Sequence, residues 1–440
     1  MDICGLTVEY LLFELNAAVS RMNIEPEKIL IRDFTYNLPH HRIAGFPLPQ
    51  RDQSKLLVYK NGKITDDQFL NISHYLPRAT HLVLNNTRVI EARLLFQKPS
   101  GGTIEIFCLE PYQESMEQAM LQKESAVWKC LIGGASKWKP GQVLQKKIQP
   151  GDEALILSAK YLQKQEDFFL IQLSWQPAEI SFVEILHAAG AIPLPPYIKR
   201  AAEKIDWERY QTIFGKEDGS VAAPTAALHF TQNVFNELKT SGISIDYITL
   251  HVGAGTFKPV KTENIADHQM HAEPFTVSKN FLERLIISEK IVAVGTTSLR
   301  SLESLHWLGI KLGNKDDVLE LTQWEAYDLA EQYGDVSYQK SLQYFIDWMA
   351  FYSISEVHCR TSLLIVPGYQ FKIPAGLVTN FHQPQSTLLL LVAAFIGEDW
   401  RKVYEHALQN DYRFLSYGDS SLLWRTPFPL QSKGEGLNLY

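Results

Sequence analysis

The sequence predicts an α/β protein: a layered α/β domain with a mostly parallel sheet, into which an antiparallel β-barrel domain is inserted. Three observations carry this. After Ser181, helical stretches (Phe182–Ala189, Gln232–Thr240, Lys279–Glu289) alternate with short apolar runs (Ile245–Val252, Ile291–Val294, Thr361–Val366, Gly376–Thr379), the pattern of helices laid on the faces of a buried sheet. Between Asn85 and Gln176 the chain reads instead as short alternating strands, Gly102–Leu109, Ser125–Ile132, Ala154–Ala159 and Phe168–Leu173, broken by turns at Lys139-Pro140-Gly141 and Pro150-Gly151, as in a small barrel or sandwich. Finally, 440 residues that are 45% hydrophobic exceed what one core fills and need no staples to form more than one.

These readings place the α/β domain at 1–82 and 179–440, built from both ends of the chain, and the barrel at 83–178. The first zone, Asp33 to Leu84, mixes turn residues (Pro39, Pro47, Pro49, Asn61-Gly62) with strands at Lys55–Tyr59 and His81–Leu84. Residues 305–358 form an extra helical excursion, where Tyr344, Phe345, Trp348, Phe351 and Tyr352 recur at helical spacing, a stripe suited to packing on the core. Leu11, Leu12, Leu15, Ala18 and Val19 predict a short amphipathic helix. Because Met1–Asn23 has acidic residues and no basic opening, a secretory signal is not expected. Leu388–Ile396 is the longest apolar run, about half of the roughly 20 residues of a membrane span. With Ser386 and Thr387 before it as N-cap candidates, it predicts a buried core helix.

Composition excludes some classes of function. Cys4, Cys108, Cys130 and Cys359 stand singly with no C-x-x-C, which speaks against a disulfide framework or structural zinc and suits a reducing, cytoplasmic setting. A net charge of −7 argues against a generally basic nucleic-acid coat. Residues 83–178 are near neutral, with 11 Lys/Arg and 10 Asp/Glu, so a local contact to phosphate stays open.

The chemistry-bearing segments sit where strands end. Leu250–Phe257 contains His251, Gly253, Gly255, Thr256 and Phe257 after an apolar run; glycines there let the backbone approach a ligand. It lacks the third glycine of a dinucleotide site, and Pro259 opposes an immediate helix. Ile291–Gly295 followed by Thr296, Thr297, Ser298, Leu299 and Arg300 reads as strand, turn and helix start, a place for an anionic group. Thr379-Asn380-Phe381-His382 follows the strand at Gly376, offering an amide and a group that exchanges protons near neutrality. Ser220–Phe230 supplies small residues with Thr225 and His229; Asp267–Glu273 supplies His268, His271 and Glu273. The two histidines lack the H-E-x-x-H pattern, and no metal is expected. Asn85-Asn86-Thr87-Arg88 and Pro193–Ile198 flank the barrel zone as hinges or cleft walls.

Taken in order, these segments resemble the S-adenosylmethionine:tRNA ribosyltransferase-isomerase family of queuosine biosynthesis. The resemblance runs from Asp33 to about Leu423 and includes Asp33-Phe34, Leu38-Pro39, Arg51-Asp52, Asn85–Arg88, Pro193–Arg200, Tyr210-Gln211-Thr212, Val221–Thr231, Leu250–Val260, His268–Glu273, Gly295–Glu303, Pro367-Gly368-Tyr369, Thr379–Thr387 and Tyr412–Asp419. Departures from the family pattern are Lys55 for Arg, Ala227 for Gly, Ala375 for Asp, Gln383 for Leu and Ser420-Ser421 for Ala-Met.

The resemblance implies transfer and isomerisation of the ribosyl moiety of S-adenosylmethionine onto 7-aminomethyl-7-deazaguanine in tRNA, giving epoxyqueuosine and releasing adenine and methionine. S-adenosylmethionine is then a co-substrate, and no metal or redox cofactor is expected. The implied proton-transfer candidates are His229, His251, His271 and His382. Phe257, Phe381 or Tyr417 would face the sulfonium through cation–π contact. Arg300 with Thr296, Thr297 and Ser298 would hold a carboxylate or phosphate. Asn85, Asn86, Arg88, Thr225, Gly253, Gly255, Thr256, Glu273, Asn380 and Asp419 complete the expected substrate contacts. The expected partners are tRNA bearing the deazaguanine precursor, no membrane, and at most a weak second copy of the chain. Two other readings remain open at this level: an S-adenosylmethionine-dependent methyltransferase, and a non-catalytic tRNA-binding paralogue.

Overall fold

The computed structural model describes residues 25–98, 100–148, 155–166, 168–253 and 260–425. The N-terminal helix expected at Leu11–Val19, Cys4, and the site candidates Gly255, Thr256 and Phe257 lie outside the described residues.

Ten strands form one sheet. In spatial order they are Glu320–Leu321, Glu356–Thr361, Glu273–Ser278, Ser244–Leu250, Thr80–Asn85, Lys290–Val294, Gly376–Asn380, Ser420–Trp424, Lys55–Lys60 and Lys63–Gln68. The sheet is mixed, with four antiparallel ladders among the nine pairings; the expectation of a mostly parallel sheet holds for its centre. There Ser244–Leu250, Thr80–Asn85, Lys290–Val294 and Gly376–Asn380 run parallel. Lys55–Lys60 joins by pairing parallel to Ser420–Trp424, with Leu56 opposite Ser420. Strands from before and after the antiparallel zone therefore share one sheet.

The central strands read as continuous apolar runs because both of their faces are covered. Leu82, Leu84, Val292, Val294 and Val378 turn to one face, against Val234 and Leu238 of the helix Gln232–Thr240. Val83, Ile291, Ala293 and Leu377 turn to the other, against Leu299 and Leu302 of the helix Thr296–Gly313. That helix is buried from Thr296 to Leu312. The helix Tyr338–Phe351 of the 305–358 excursion lies over it. Contact is close at Gly309, where a Cβ would stand 2.2 Å from the carbonyl oxygen of Ser341. Phe345 of the predicted aromatic stripe is buried, whereas Phe351 and Tyr352 at its end face outward. Leu388–Ile396 forms the buried helix Thr387–Ile396, whose N-cap Ser386 accepts from the Leu389 N–H at 3.2 Å. Among the described residues no helix is long and apolar enough to cross a membrane.

The second sheet is wholly antiparallel, in the order Gly190–Ala191, Arg93–Gln97, Thr103–Pro111, Ser125–Gly133, Phe169–Gln176, Leu155–Lys164 and Val143–Ile148. It has its own core, in which the rings of Trp128, Trp175 and Phe182 meet. Arg93–Gln97 and Val143–Ile148 approach each other without a ladder. Lys146 Nζ crosses that seam to the carbonyl of Ala189 at 2.7 Å.

One predicted strand is displaced. Thr361–Val366 is not a strand; the strand is Glu356–Thr361, alternately exposed and buried. The apolar run Leu363–Val366 is a buried connection whose backbone is satisfied by side chains. Arg300 Nε donates to the Leu363 carbonyl, Tyr327 Oη donates to the Leu364 carbonyl, and the Val366 N–H donates to Tyr327 Oη. Continuous burial mimics a central strand in composition, although no ladder is made.

Candidate functional site

The carboxyl ends of the central parallel strands open onto one cleft. Its floor is Gly295, Thr296 and Thr297 after Lys290–Val294, Asn380 and His382 at the end of Gly376–Asn380, and Val252 after Ser244–Leu250. Ala222–Ala226, Tyr197 and Leu415–Ser416 form the facing wall, and Gln383 and Ser386 the rim. Gly295 turns the chain from strand to helix at φ +93°, a conformation that a side chain resists. Lacking a side chain, it cannot cap the Thr296–Gly313 helix, and first-turn N–H groups are left to face the cleft with the hydroxyls of Thr296 and Thr297.

Polar atoms from distant segments meet across this space. Thr225 Oγ1 donates to Asn380 Oδ1 at 2.8 Å. His382 Nε2 lies 2.9 Å from Thr379 Oγ1. The His382 backbone is pinned on both sides, its N–H donating to Tyr404 Oη at 3.1 Å and its carbonyl accepting from Tyr36. Burial pushes the His382 imidazole down to about 3, so the ring is neutral at pH 7. Tyr197 Oη and Ser416 Oγ share a hydrogen at 2.6 Å. Ser416 also lines a smaller adjoining cavity together with His229 and Tyr417. His229 Nδ1 is 2.9 Å from Ser54 Oγ, and burial pushes this ring down to about 4. Tyr417 Oη donates to Asp206 at 2.7 Å.

Of the residues expected from sequence, Thr225, Thr296, Thr297, Asn380 and His382 line the cleft, and His229 and Tyr417 line the neighbouring cavity. Others stand elsewhere. His251 lies between the two sheets: Nδ1 is 2.9 Å from Thr87 Oγ1, and Nε2 is 3.8 Å from Glu117 Oε1 in the helix Met116–Leu121. His251 holds the Glu117 carboxyl down to about 2. His271 is exposed. Asn85 is a backbone clamp, donating to the Leu250 carbonyl and accepting from the N–H groups of Leu250 and Thr87. Asn86 accepts from Thr249 Oγ1, and Arg88 reaches Asp218 at 3.7 Å.

Arg300, expected to hold an anion, is paired internally. Its Nη1 is 2.6 Å from Glu273 Oε2, both side chains are buried, and Glu273 Oε1 accepts from the Gly253 N–H. Ser298 is fully buried. Phe381 packs on Tyr404, Tyr412 and Phe414 within the core rather than facing the cleft. Asp419 accepts from the N–H groups of Lys55 and Arg413 and ties the 413–419 turn to the start of the strand Lys55–Lys60.

The cleft also uses residues outside the expected contacts: Thr379 from the chemistry-bearing segment, Ser386 expected only as an N-cap, Gln383 noted only as a departure, and Leu415 and Ser416. Ser416 adjoins Tyr417, and Gln383 follows His382, so proximity in sequence was the available signal. Tyr197, from the Pro-rich stretch read as a hinge or cleft wall, lines the cleft.

A polar cleft at the carboxyl ends of parallel strands, with a helix start in its floor and an imidazole kept dry, defines a small-ligand-binding α/β protein of the enzyme type. Residues 31–423 match the model of the queuosine biosynthesis protein family, and the chain belongs to that family. Relatives named S-adenosylmethionine:tRNA ribosyltransferase-isomerase include one from Legionella pneumophila, 36% identical over 405 residues, covering 89% of this chain and 99% of the relative. Another, from Halothermothrix orenii, is 37% identical over 403 residues with the same coverage. A crystal structure of S-adenosylmethionine tRNA ribosyltransferase from Thermotoga maritima matches at 29% identity and a TM-score of 0.42, covering 89% of this chain and 99% of that one.

Proposed function

We infer that this chain is an S-adenosylmethionine:tRNA ribosyltransferase-isomerase, which transfers the ribosyl moiety of S-adenosylmethionine to 7-aminomethyl-7-deazaguanine in tRNA and isomerises it to the epoxycyclopentanediol of epoxyqueuosine. The observation that carries the reading of the site is the convergence of Thr225, Thr296, Asn380 and His382, from three separate segments, on one cleft of a family member.

The chemistry asks for a base in a water-poor place. Ribose must close C1′ onto C5′, and the C5′ proton is acidified by the adjoining sulfonium. His382 is neutral because it is buried, so it enters as a proton acceptor. Transfer leaves an imidazolium and removes one positive charge from the ribosyl-sulfonium unit, so the net charge of the cleft is unchanged and no new charge has to be solvated. The electron pair remains on C5′ beside sulfur. That pair expels the ring oxygen from C4′ to give a C4′=C5′ vinyl sulfonium, and the oxygen's pair forms a C1′ carbonyl as N9–C1′ breaks and adenine leaves with a proton. The amine then adds at C4′ and loses a proton, the renewed carbanion at C5′ closes on C1′, and the resulting C1′ alkoxide displaces neutral methionine from C5′ to form the epoxide. The start of the Thr296–Gly313 helix, with Thr296 and Thr297, suits the methionine carboxylate. Asn380 and Thr225 supply directed hydrogen bonds to the nucleoside. Burial keeps His229 unprotonated as well, so it is not the proton donor for adenine.

The antiparallel sheet is read as an inserted β-barrel domain spanning 83–178, with 1–82 and 179–440 as the catalytic α/β part. The enzyme acts in the cytoplasm with its tRNA, as a monomer or weak homo-oligomer, without a metal or redox cofactor. Incubation with S-adenosylmethionine and tRNA carrying the aminomethyl precursor tests the reading: adenine and methionine should appear together. S-adenosylhomocysteine in their place would reveal a methyltransferase, and tRNA binding without adenine release a non-catalytic paralogue.

A further inference from the structure

The cavity beside the cleft is walled by Arg51, Arg209 and Arg413 with His229, Ser416 and Tyr417. Two of these arginines bond only to backbone carbonyls among the described residues. Arg51 donates to Gln211 at 3.0 Å and Glu208 at 3.5 Å; Arg209 donates to Pro49 at 2.9 Å and to Leu48. Nearby Arg200, by contrast, is held in a fork by Asp206 at 2.7 and 2.8 Å, and Arg413 reaches Asp419 at 3.2 Å. Arg51 is pushed below its ordinary value by burial and then by Arg209. Glu208 and Asp52 offset this through space, but among the described residues neither Arg51 nor Arg209 has an ion pair, a costly arrangement for two half-buried cations that repel each other.

Further polar atoms in the same wall lack partners among the described residues. His229 is 4% exposed; Nδ1 is taken by Ser54, and Nε2 is buried without a partner. Nδ1 also lies 3.3 Å from the Arg51 carbonyl, which can only accept, so Nδ1 carries the ring proton and Nε2 is left as an acceptor. Arg209 Nε is likewise buried and partnerless. Outside the cavity, the Arg200 guanidinium lies 3.9 Å over the ring of Phe46, which is 50% exposed, and Trp207 is 37% exposed. Exposed aromatic faces among arginines are what unpaired bases stack on. Ser416 lines both the cavity and the cleft.

We propose that the Arg51–Arg209–Arg413 cavity seats a backbone phosphate of the RNA substrate, next to the nucleotide whose base enters the cleft. Guanidinium forks match a phosphate bidentately, and the seat would fix the register of the loop without reading its sequence. The proposal rests on the reading of the chain as a tRNA-modifying enzyme. The methionine carboxylate of S-adenosylmethionine is the other source of an oxyanion. It is disfavoured because the helix start at Thr296 already faces the cleft, whereas this cavity adjoins the exposed rings.

The test compares wild type with Arg51→Ala, Arg209→Ala and the milder Arg51→Lys. RNA affinity is measured across a salt series, S-adenosylmethionine affinity separately, and adenine release at saturating RNA. The alanine variants should bind RNA about ten- to a hundredfold more weakly, with the slope of log affinity on log salt shallower by about 0.7 to 1. S-adenosylmethionine affinity should not move. An unchanged salt slope overturns the proposal, and an unchanged slope with weakened S-adenosylmethionine binding assigns the cavity to the carboxylate instead.

Because Arg209 also anchors the Leu48–Pro49 backbone, the wild-type protein is tested too. It is titrated with RNA hairpins carrying one neutral methylphosphonate at successive positions. One position should lose about tenfold in affinity, and that loss should vanish in Arg51→Ala; a uniform response along the loop overturns the proposal. If wild type releases no adenine with precursor tRNA, the functional reading fails. If it does, and the variants keep their salt slope, only the phosphate seat fails.

Discussion

Thr225 and Asn380 are 155 positions apart in sequence, yet their side chains share a 2.8 Å hydrogen bond at the cleft. The amide belongs to the end of a central strand and the hydroxyl to the loop facing it, so this contact sets the width of the cleft. Asn380→Ala should weaken S-adenosylmethionine binding about tenfold, the order of one lost directed hydrogen bond with a neighbour left unpaired. Titration calorimetry checks this; unchanged affinity would place the nucleoside elsewhere.

His382 should act as a base with no acidic limb near ordinary histidine values. Its ring is held down to about 3 by burial, so kcat/KM for adenine release should stay flat as pH falls from 8 through 6.5, where an exposed histidine would protonate. His382→Gln should abolish adenine release while the melting temperature stays near that of wild type. A rate that falls with an apparent pKa near 6.5 and survives His382→Gln would assign the proton transfer to another group.

Buried neutral histidines also tie stability to pH. His229 is held down to about 4, and His306 and His382 to about 3, from an ordinary 6.5, each chiefly by burial. Between those values the unfolded chain binds protons that the folded chain refuses. Stability from these groups is therefore complete above pH 6.5 and is lost as pH falls toward 4 and 3. Each contributes about 1.4 kcal/mol per pH unit within its window. His306, whose Nδ1 lies 2.8 Å from Ser341 Oγ away from the cleft, is the cleanest probe. His306→Asn should flatten the dependence of the urea midpoint on pH between 6 and 4, and a parallel curve would contradict the assignment.

Gly309 lets the excursion helix settle on the cleft helix. Gly309→Ala would drive its Cβ to 2.2 Å from the Ser341 carbonyl, forcing the helices apart at a cost of about 1–3 kcal/mol. Denaturant unfolding measures this; a neutral or stabilising effect would mean that the two helices are not held in this contact.

Arg300 and Glu273 form a buried pair at 2.6 Å. Arg300→Met removes the cation paired with a buried carboxylate and should destabilise by about 3–5 kcal/mol. Arg300→Met with Glu273→Gln should recover a good part of that loss. A ligand-binding arginine would behave otherwise: Arg300→Met would spare stability and raise the KM for S-adenosylmethionine.

Much of the fold is legible in the sequence wherever burial leaves a period. Gln232–Thr240 and Phe182–Ala189 carry their helical spacing in the open, and the turn at Lys139-Pro140-Gly141 is marked by Pro and Gly, while the turn expected at Pro150-Gly151 lies outside the described residues. Thr361–Val366 misleads because a segment buried on all sides has the composition of a central strand, while the true strand Glu356–Thr361 shows the alternation of a half-exposed one. The site is legible where a strand end carries hydroxyls or an amide, as at Thr296 and Asn380. It is not legible where function depends on what faces a residue. Nothing local distinguishes Arg300, neutralised by Glu273, from Arg51, whose guanidinium bonds only to carbonyls among the described residues. Nor does the chain announce that Tyr197 and Ser416, 219 positions apart, share a hydrogen at 2.6 Å.

The most direct measurement is a crystal structure of the protein with S-adenosylmethionine. The account predicts the methionine carboxylate at the N–H groups of Thr296 and Thr297, the ribose beside Asn380, and C5′ within hydrogen-bond reach of His382. Density for the sulfonium elsewhere, such as between the sheets at His251 and Glu117, would contradict it.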